Sequence, residues 1–275
     1  MNNNDNSKIS FGVHAKKSLG QNFLKSKTAL MAIIKAGEVN PSDIILEIGP
    51  GKGALTEKIL ETGAKVIAIE KDDRLIEFLN EKFEKEVKSG RFSLITGDVL
   101  EIELSSLNLE PRNYKLIANI PYYITGLIFR KFLEGKIQPS KLVVMVQKEI
   151  ADRIVARDEK ESLLSLSVKC YGEPKKIMKV GKENFSPEPK VDSAILLIDN
   201  ISKNFFKEIT EENFFEVIKA GFAHKRKVLI ANLKNIFIKN GKDPKKVFAE
   251  LKISEKVRAE DLKLGDWKNL IINIY

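Results

Sequence analysis

Asn119-Ile120-Pro121-Tyr122 combines residue types suited to activating an aromatic amine. The exocyclic nitrogen of adenine is a poor nucleophile because its lone pair is delocalised into the ring. Acceptors for its two hydrogens favour a tetrahedral nitrogen and aim that lone pair at an incoming methyl group. The Asn119 side-chain oxygen supplies one acceptor. The carbonyl of Ile120, held extended by the proline after it, supplies another. Tyr122 offers a ring on which the base can stack. Positioning and electrostatics suffice for such a step, without a metal or a covalent nucleophile. The competing reading is a strand-end turn that happens to contain Asn and Pro.

A second constellation is built to hold a nucleotide-like ligand. Gly49-x-Gly51-x-x-Ala54 follows the apolar run Ile45 to Ile48 and leads into the helical pattern Leu55 to Leu60. Strand, glycine turn and helix let the backbone approach a ligand closely. About twenty residues on, a second apolar run, Lys65 to Ile69, ends in Glu70, whose carboxylate can accept hydrogen bonds from both ribose hydroxyls. The pattern also satisfies the looser dinucleotide fingerprint, so nicotinamide and flavin ligands remain open on these residues alone.

Two further stretches carry chemistry. Phe185-Ser186-Pro187-Glu188-Pro189 is a proline-stiffened loop with one aromatic. Phe185 either stacks on the far face of a flipped base or sits in the core of a rigid hairpin. From Lys219 to Lys246, nine Lys and Arg residues face one acid, Asp243, and Lys225, Arg226 and Lys227 are consecutive. That cluster is a phosphate-binding stripe or a solvated helix face.

Regular alternation positions these residues. Strands are expected at Phe92–Thr96, Tyr114–Ala118 and Leu142–Val146, between helical patterns at Lys27–Ala36, Asp73–Lys85 and Ile124–Leu133. Gly37 is expected to end the first of these helices. Such alternation predicts a doubly wound, mostly parallel α/β sheet, with ligands beyond the carboxyl ends of its strands. Gly49, Glu70, Asp98 and Asn119 all fall at those ends. Lys175–Val180 and Val191–Ile198 read as an antiparallel edge. Glu211 to Leu233 has helical spacing interrupted by Gly221, and short helices follow. The expected division is a disordered tail over 1–15, an α/β domain over 16–200 and a small all-helical domain over 201–275.

The 275 residues carry a net charge of +9, which favours nucleic acid or an anionic membrane surface as partner. One cysteine, Cys170, excludes an internal disulfide, and with two histidines leaves no zinc constellation. No run approaches the roughly 18 apolar residues of a membrane span. The polar start has no secretory core, so the expected location is the cytoplasm.

Together the motifs resemble the ribosomal small-subunit RNA adenine dimethyltransferases, the kasugamycin-resistance family. The resemblance runs from about Lys16 to at least Leu233. It rests on Leu19-Gly20-Gln21-Asn22-Phe23-Leu24, Glu47-Ile48-Gly49-Pro50-Gly51, Asn119-Ile120-Pro121-Tyr122, Gln147 to Ile154, and Phe185 to Ser193. It implies a Rossmann-like class I methyltransferase sheet and an S-adenosylmethionine site lined by Asn22, Leu24, Gly49, Gly51, Glu70, Asp98 and Asn119. Glu70 would take the ribose and Asp98 the cofactor's adenine amine. Asn119, Ile120, Pro121, Tyr122 and Phe185 would form the catalytic group, with Tyr122 and Phe185 sandwiching the target base. The implied reaction is dimethylation of two neighbouring adenines of small-subunit ribosomal RNA, by a monomer acting on a pre-assembled small subunit during its biogenesis. One departure is visible: Leu163-Leu164 stand before Ser165-Leu166-Ser167-Val168, where the family often has Tyr-Gly, so the loop after Arg157 is expected to differ. The alternatives are the related antibiotic-resistance methyltransferase of large-subunit RNA and a noncatalytic assembly or transcription factor on the same scaffold. Val191-Asp192-Ser193-Ala194 and Ala223-His224-Lys225-Arg226-Lys227, with Leu229 and Asn232, favour the small-subunit enzyme. Retention of Asn119 and Tyr122 argues against the noncatalytic one.

Overall fold

The computed structural model describes Ala15, Lys16 and residues 19–275, so the expected tail, apart from Ala15, lies outside the described residues. A short strand β1 (Phe23–Leu24) and helix α1 (Lys27–Gly37) precede the sheet. Ser26 caps α1 by accepting from the Ala29 amide, and Glu38, at φ 47°, takes the left-handed position after it. The helix ends at Gly37 as expected, with Glu38 rather than the glycine in the left-handed position.

The α/β alternation then runs β2 (Ile44–Ile48), α2 (Ala54–Glu61), β3 (Lys65–Glu70), α3 (Ile76–Lys82), α4 (Glu84–Lys88), β4 (Phe92–Thr96), β5 (Lys115–Asn119), α5 (Thr125–Phe129), β6 (Lys141–Gln147), α6 (Lys148–Ile154) and α7 (Leu163–Lys169). Strands β7 (Glu173–Val180), β8 (Phe185–Ser186) and β9 (Ser193–Asp199) complete the β-structure. The seven-stranded sheet has the order β4-β3-β2-β5-β6-β9-β7. Its first five strands are parallel, and β9 and β7 add the expected antiparallel edge. A second, two-stranded sheet pairs β1 with β8 and was not foreseen.

The sheet is covered on both faces, which explains why its central strands read as continuous apolar runs. Ile45, Val66, Ile117 and Val143 pack with Ile33, Ile59 and Leu79 on one side. Leu46, Ile67, Leu116 and Val144 pack with Phe129, Phe132, Ile154 and Leu166 on the other. On the edge strand β7, exposure alternates with every second residue and Lys176 is followed by a register shift, both of which discourage pairing with another chain.

Two helices differ from the sequence pattern, and a third breaks at Gly221 as expected. The long helix expected over Asp73–Lys85 begins as a 3-10 turn at Asp73–Leu75 and breaks at Phe83, whose φ of −112° is non-helical. The one over Ile124–Leu133 is a 3-10 turn at Tyr122–Ile124, then α5, then a π segment at Arg130–Glu134. Glu211 to Leu233 is interrupted: α8 (Glu211–Gly221) stops where Asn232 Nδ2 bonds the Gly221 carbonyl at 2.6 Å, and α9 (Leu229–Asn232) follows an exposed turn. Helices α10 (Lys234–Lys239), α11 (Pro244–Glu250) and α12 (Leu264–Ile274) finish the chain. Their apolar residues, Trp267 and Phe237 among them, join the cluster on one sheet face. Among the described residues no helix is long and apolar enough to cross a membrane.

Gly221 is needed for space. A Cβ there would lie 2.4 Å from the Trp267 ring and 3.0 Å from Leu229 Cδ1, and Trp267 is wholly buried. Gly221→Ala should therefore destabilise the protein by about 1–3 kcal/mol. Gly265, in the first turn of α12, has no positive φ, and a Cβ there would meet nothing within 4 Å. Gly265→Ala should stabilise by up to about 1 kcal/mol. Urea unfolding midpoints moving in the same direction for both variants would refute this packing account.

Candidate active site

The glycine turn leaves β2 and enters α2 with Gly51 at φ 58° and Gly53 at φ 73°. Both are left-handed and both are crowded. A Cβ on Gly51 would sit 2.9 Å from the Phe23 ring, and one on Gly53 2.6 Å from the Phe83 ring. Only glycine satisfies backbone and space together. Gly49 differs, for nothing lies within 4 Å of its Cβ position, which leaves room for a ligand.

Glu70, at the end of β3, ties this turn in place. Its Oε2 accepts the Gly51 amide at 3.1 Å and its Oε1 accepts the Asp72 amide at 2.8 Å. Each oxygen keeps a lone pair. Burial pushes the Glu70 carboxyl above the ordinary carboxylate range, and these amides pull it back. Beside it Glu47 is fully buried, and burial pushes its pKa up to about 8. Among the described residues Glu47 Oε2 and Thr56 Oγ1 are buried without a close hydrogen-bond partner, and Thr56 beside Glu47 pulls its pKa only part of the way back. Glu47 was not among the expected site residues. Its signals in the sequence are an acid inside an otherwise apolar strand and its place at the head of the Glu47-Ile48-Gly49-Pro50-Gly51 motif.

Asp98 follows β4. Its Oδ2 pairs with Lys71 Nζ at 2.7 Å and its Oδ1 accepts the Leu100 amide at 2.9 Å. Lys71 holds its carboxyl below the usual range. Across the sheet, Asn119 Nδ2 donates to the Asn22 carbonyl at 3.0 Å. A carbonyl can only accept, so this bond fixes the amide's orientation. Asn119 Oδ1 meets no protein donor among the described residues. Tyr122 OH lies 2.6 Å from Ser193 Oγ, and Ser193 is wholly buried at the start of β9. This pairing sets the direction of the Tyr122 ring, and sequence spacing gave no hint of it.

The segment 19–24 forms a roof. Gln21 Nε2 donates to Asp72 Oδ2 at 2.9 Å, and Asp72 also pairs with Arg74 at 2.6 Å and Lys16 at 3.4 Å. Arg74 beside it holds the Asp72 carboxyl far below its usual range. The β1–β8 pairing closes the other end of the roof.

Asn22, Leu24, Gly49, Gly51, Glu70, Asp98, Asn119, Ile120, Pro121 and Tyr122 line one cavity of about 830 Å³. Tyr123, Leu127 and Ser186 join them there. Phe185 does not. It is 2% exposed and packs in the core with Leu24 and Val180. Side chains alternate along β8, so Ser186 faces the cavity and Phe185 turns away. Of the two readings left open for Phe185, the structure shows the core residue, and the expected base sandwich loses that partner.

Lys225, Arg226 and Lys227 lie elsewhere, exposed in the turn between α8 and α9 with no carboxylate partner among the described residues. Lys225 lines a second cleft of about 1050 Å³, with Gly126, Arg130, Arg153, Arg157 and Leu163. In that cleft Leu163 opens α7, which Ser162 and Ser165 cap reciprocally.

The model of a family described as ribosomal RNA adenine dimethylase matches residues 12–275. The chain is 40% identical over 266 residues to ribosomal RNA small subunit methyltransferase A of Dehalococcoides mccartyi strain CBDB1, covering 95% of this chain and 89% of that one. It is 38% identical over 260 residues to the protein of that name from Fusobacterium nucleatum, covering 93% and 96%. A dimethyladenosine transferase from Plasmodium falciparum superposes with a TM-score of 0.75 at 28% identity, covering 90% and 95%. The 23S rRNA methyltransferase ErmE superposes with a TM-score of 0.74 at 23% identity, covering 91% and 98%. These two scores barely differ, so the fold does not separate the two kinds of enzyme, whereas the sequence relatives do.

Glu47 gives the site a pH signature. Its folded pKa of about 8 stands above the ordinary value of 4.5, so the native state keeps a proton that the unfolded chain has released. The stabilisation is full below about pH 4.5 and is lost as pH rises through 8. The slope is at most about 1.4 kcal/mol per pH unit. Glu47→Gln removes that dependence. The ligand-free variant should match the wild type near pH 5 and become the more stable of the two by pH 9. Urea denaturation curves whose difference stays constant across this range would exclude a buried protonated Glu47.

Proposed function

The chain belongs to the ribosomal RNA adenine dimethylase family and is a methyltransferase, and from that premise we propose that it dimethylates the exocyclic amines of two adjacent adenines near the 3′ end of small-subunit ribosomal RNA. We take the methyl donor to be S-adenosylmethionine and the substrate to be the pre-assembled small subunit, met by a monomer in the cytoplasm. The observation that carries this reading is the Asn119 amide, whose oxygen meets no protein donor among the described residues at the cavity while its nitrogen is held by Asn22.

The cavity suits the cofactor. Open space at Gly49, the spare lone pairs of Glu70 and the carboxylate of Asp98 match a nucleoside with ribose hydroxyls and an exocyclic amine. Asn22, Leu24, Gly51 and Asn119 would complete its holders. When bound, S-adenosylmethionine supplies an activated methyl group on a sulfonium. The protein's own task is to present the adenine amine. Asn119 Oδ1 and the Ile120 carbonyl accept its hydrogens, and Tyr122, fixed by Ser193, supports the ring. The roof at Gln21 and Asn22 keeps water from the reacting nitrogen. Once methylated, the nitrogen gives up one proton to solvent and retains one hydrogen for an acceptor in this group, so with a fresh methyl donor a second transfer can follow in the same pocket. After two, no hydrogen remains to be held.

The segment 201–275 serves as a helical RNA-binding unit in this reading, with the turn at Lys225, Arg226 and Lys227 on phosphates. Replacing those three residues with Ala should lower the slope of log affinity against log salt by roughly 2–3. Affinity for the cofactor should not change. An unaltered slope would take the turn off the RNA.

The decisive experiment is methyl transfer from labelled cofactor to purified unmethylated small subunits, with large subunits as control. Wild-type protein should yield dimethyladenine in small-subunit RNA alone. Asn119→Ala should cut transfer by about a hundredfold or more, with RNA affinity nearly unchanged. Dimethyladenine formed by Asn119→Ala at the wild-type rate would defeat the mechanism, and label found only in large subunits would promote the resistance-type enzyme.

A further inference from the structure

The outer face of the turn and helix after Pro121 carries none of the residues placed above around the cofactor or the target base. Tyr122 points inward to Ser193, but Tyr123, one residue on, is 65% exposed. Leu127, four residues later, is 50% exposed. Both line the cavity mouth. Gly20 lets the Tyr123 ring lie close, since a Cβ there would be 3.2 Å from Tyr123 Cε1. Between them Gly126 adds no side chain, and its Cβ position meets nothing within 4 Å. The stripe then continues through Gly126 and Arg130 into the second cleft, which Lys225 also lines. Large exposed apolar groups beside a polar cavity need a reason.

We infer that Tyr123 and Leu127 form a stacking platform for the nucleobase next to the target adenine. This inference rests on the proposed reaction, because it needs a base drawn into the cavity. Extruding a base costs the stacking it shared with its neighbours. An aromatic face at the cavity mouth replaces that loss for the neighbour left outside, and does so for any base because every base has a π-face. The occupant is an RNA base because the platform is continuous at one end with the methylation cavity and at the other with the cleft that reaches the basic turn at Lys225. A hydrophobic protein segment would bury Tyr123 and Leu127 but would block the mouth through which the target must enter. The strand therefore runs along this face from the cavity toward the basic turn.

Removing the partner from each side tests the contact. The probe is a stem-loop RNA with two adjacent unpaired adenines, together with versions abasic at the position before or after the target. The proteins are the wild type, Tyr123→Ala, Tyr123→Phe and Leu127→Ala. The wild type should lose about 5- to 150-fold in affinity when one flanking base is removed. Tyr123→Ala should bind the intact RNA as weakly as the wild type binds the abasic one, and should be indifferent to the abasic site. Tyr123→Phe should behave as wild type, and Leu127→Ala should fall between. Cofactor affinity, measured alongside, should be unchanged in all four, which separates a lost platform from misfolding. Equal sensitivity to the abasic site in wild type and Tyr123→Ala overturns the inference, and so does a wild type indifferent to both flanking bases. Methyl transfer by the wild type to small subunits is scored separately, so failure of the reaction reading is distinct from failure of the platform.

Discussion

The carboxylate of Glu70 is the constraint on which the site depends. It ends β3, yet its two oxygens hold the amide of the glycine turn after β2 and that of Asp72. Two adjacent strand exits are thereby fixed relative to each other before any ligand arrives, and preorganised polar groups of this kind need no rearrangement at the moment of reaction. Asp72 carries the constraint outward, because its buried side chain clamps Gln21 and so the roof. Glu47 shows what the arrangement excludes. Buried near Glu70, with one oxygen unpartnered, it is pushed toward the neutral form by burial first and by the charge of Glu70 besides. Of the two carboxyls, Glu70 has the Gly51 and Asp72 amides to support a charge, whereas for Glu47 the help of Thr56 is outweighed by burial.

Asn119 gives the same economy on the other side of the sheet. One amide group bonds the roof through its nitrogen and faces the cavity through its oxygen. The floor of the site is therefore a strand end in the centre of a seven-stranded sheet, while its roof is a short segment held by side chains and a two-residue pairing. A rigid floor keeps acceptors aligned. The roof meets it through the Asn119 nitrogen and the Asp72 clamp, so floor and roof are joined by side-chain hydrogen bonds rather than by the sheet ladder.

What the sequence disclosed follows from periodicity and what it withheld follows from tertiary contacts. The parallel strands were legible because burial on both faces writes unbroken Ile, Val and Leu runs, and the residues at their carboxyl ends were legible because such sheets put ligands there. Phe185 was not. Its spacing allows either face of β8, and only the pairing of β8 with β1 turns it inward. The break at Phe83 was hidden because Leu79 and Phe83 keep helical spacing across it, and Gly221 read as an interruption although its reason is the Trp267 ring, forty-six residues away in the chain. The Tyr122–Ser193 pair joins two motifs that were recognised separately, with nothing in either to say that they touch.

In the proposed reading the cavity itself cannot choose between ribosomal subunits, since acceptors and a ring treat an adenine alike wherever it comes from. Choice must reside outside it, and the charges there are of two kinds. In the second cleft Arg130, Arg153 and Arg157 are already paired with Glu134, Glu149 and Asp152. These pairs are solvent-exposed and each guanidinium keeps N–H donors beyond its carboxylate, so the pairing lowers the pull of these arginines on a phosphate without closing them to it. Lys225, Arg226 and Lys227 have no such partner among the described residues and attract any polyanion, with the salt dependence that implies. In the proposed reading general attraction comes from the turn, whereas in the cleft the paired carboxylates offset the arginines and weaken the pull on a merely charged RNA.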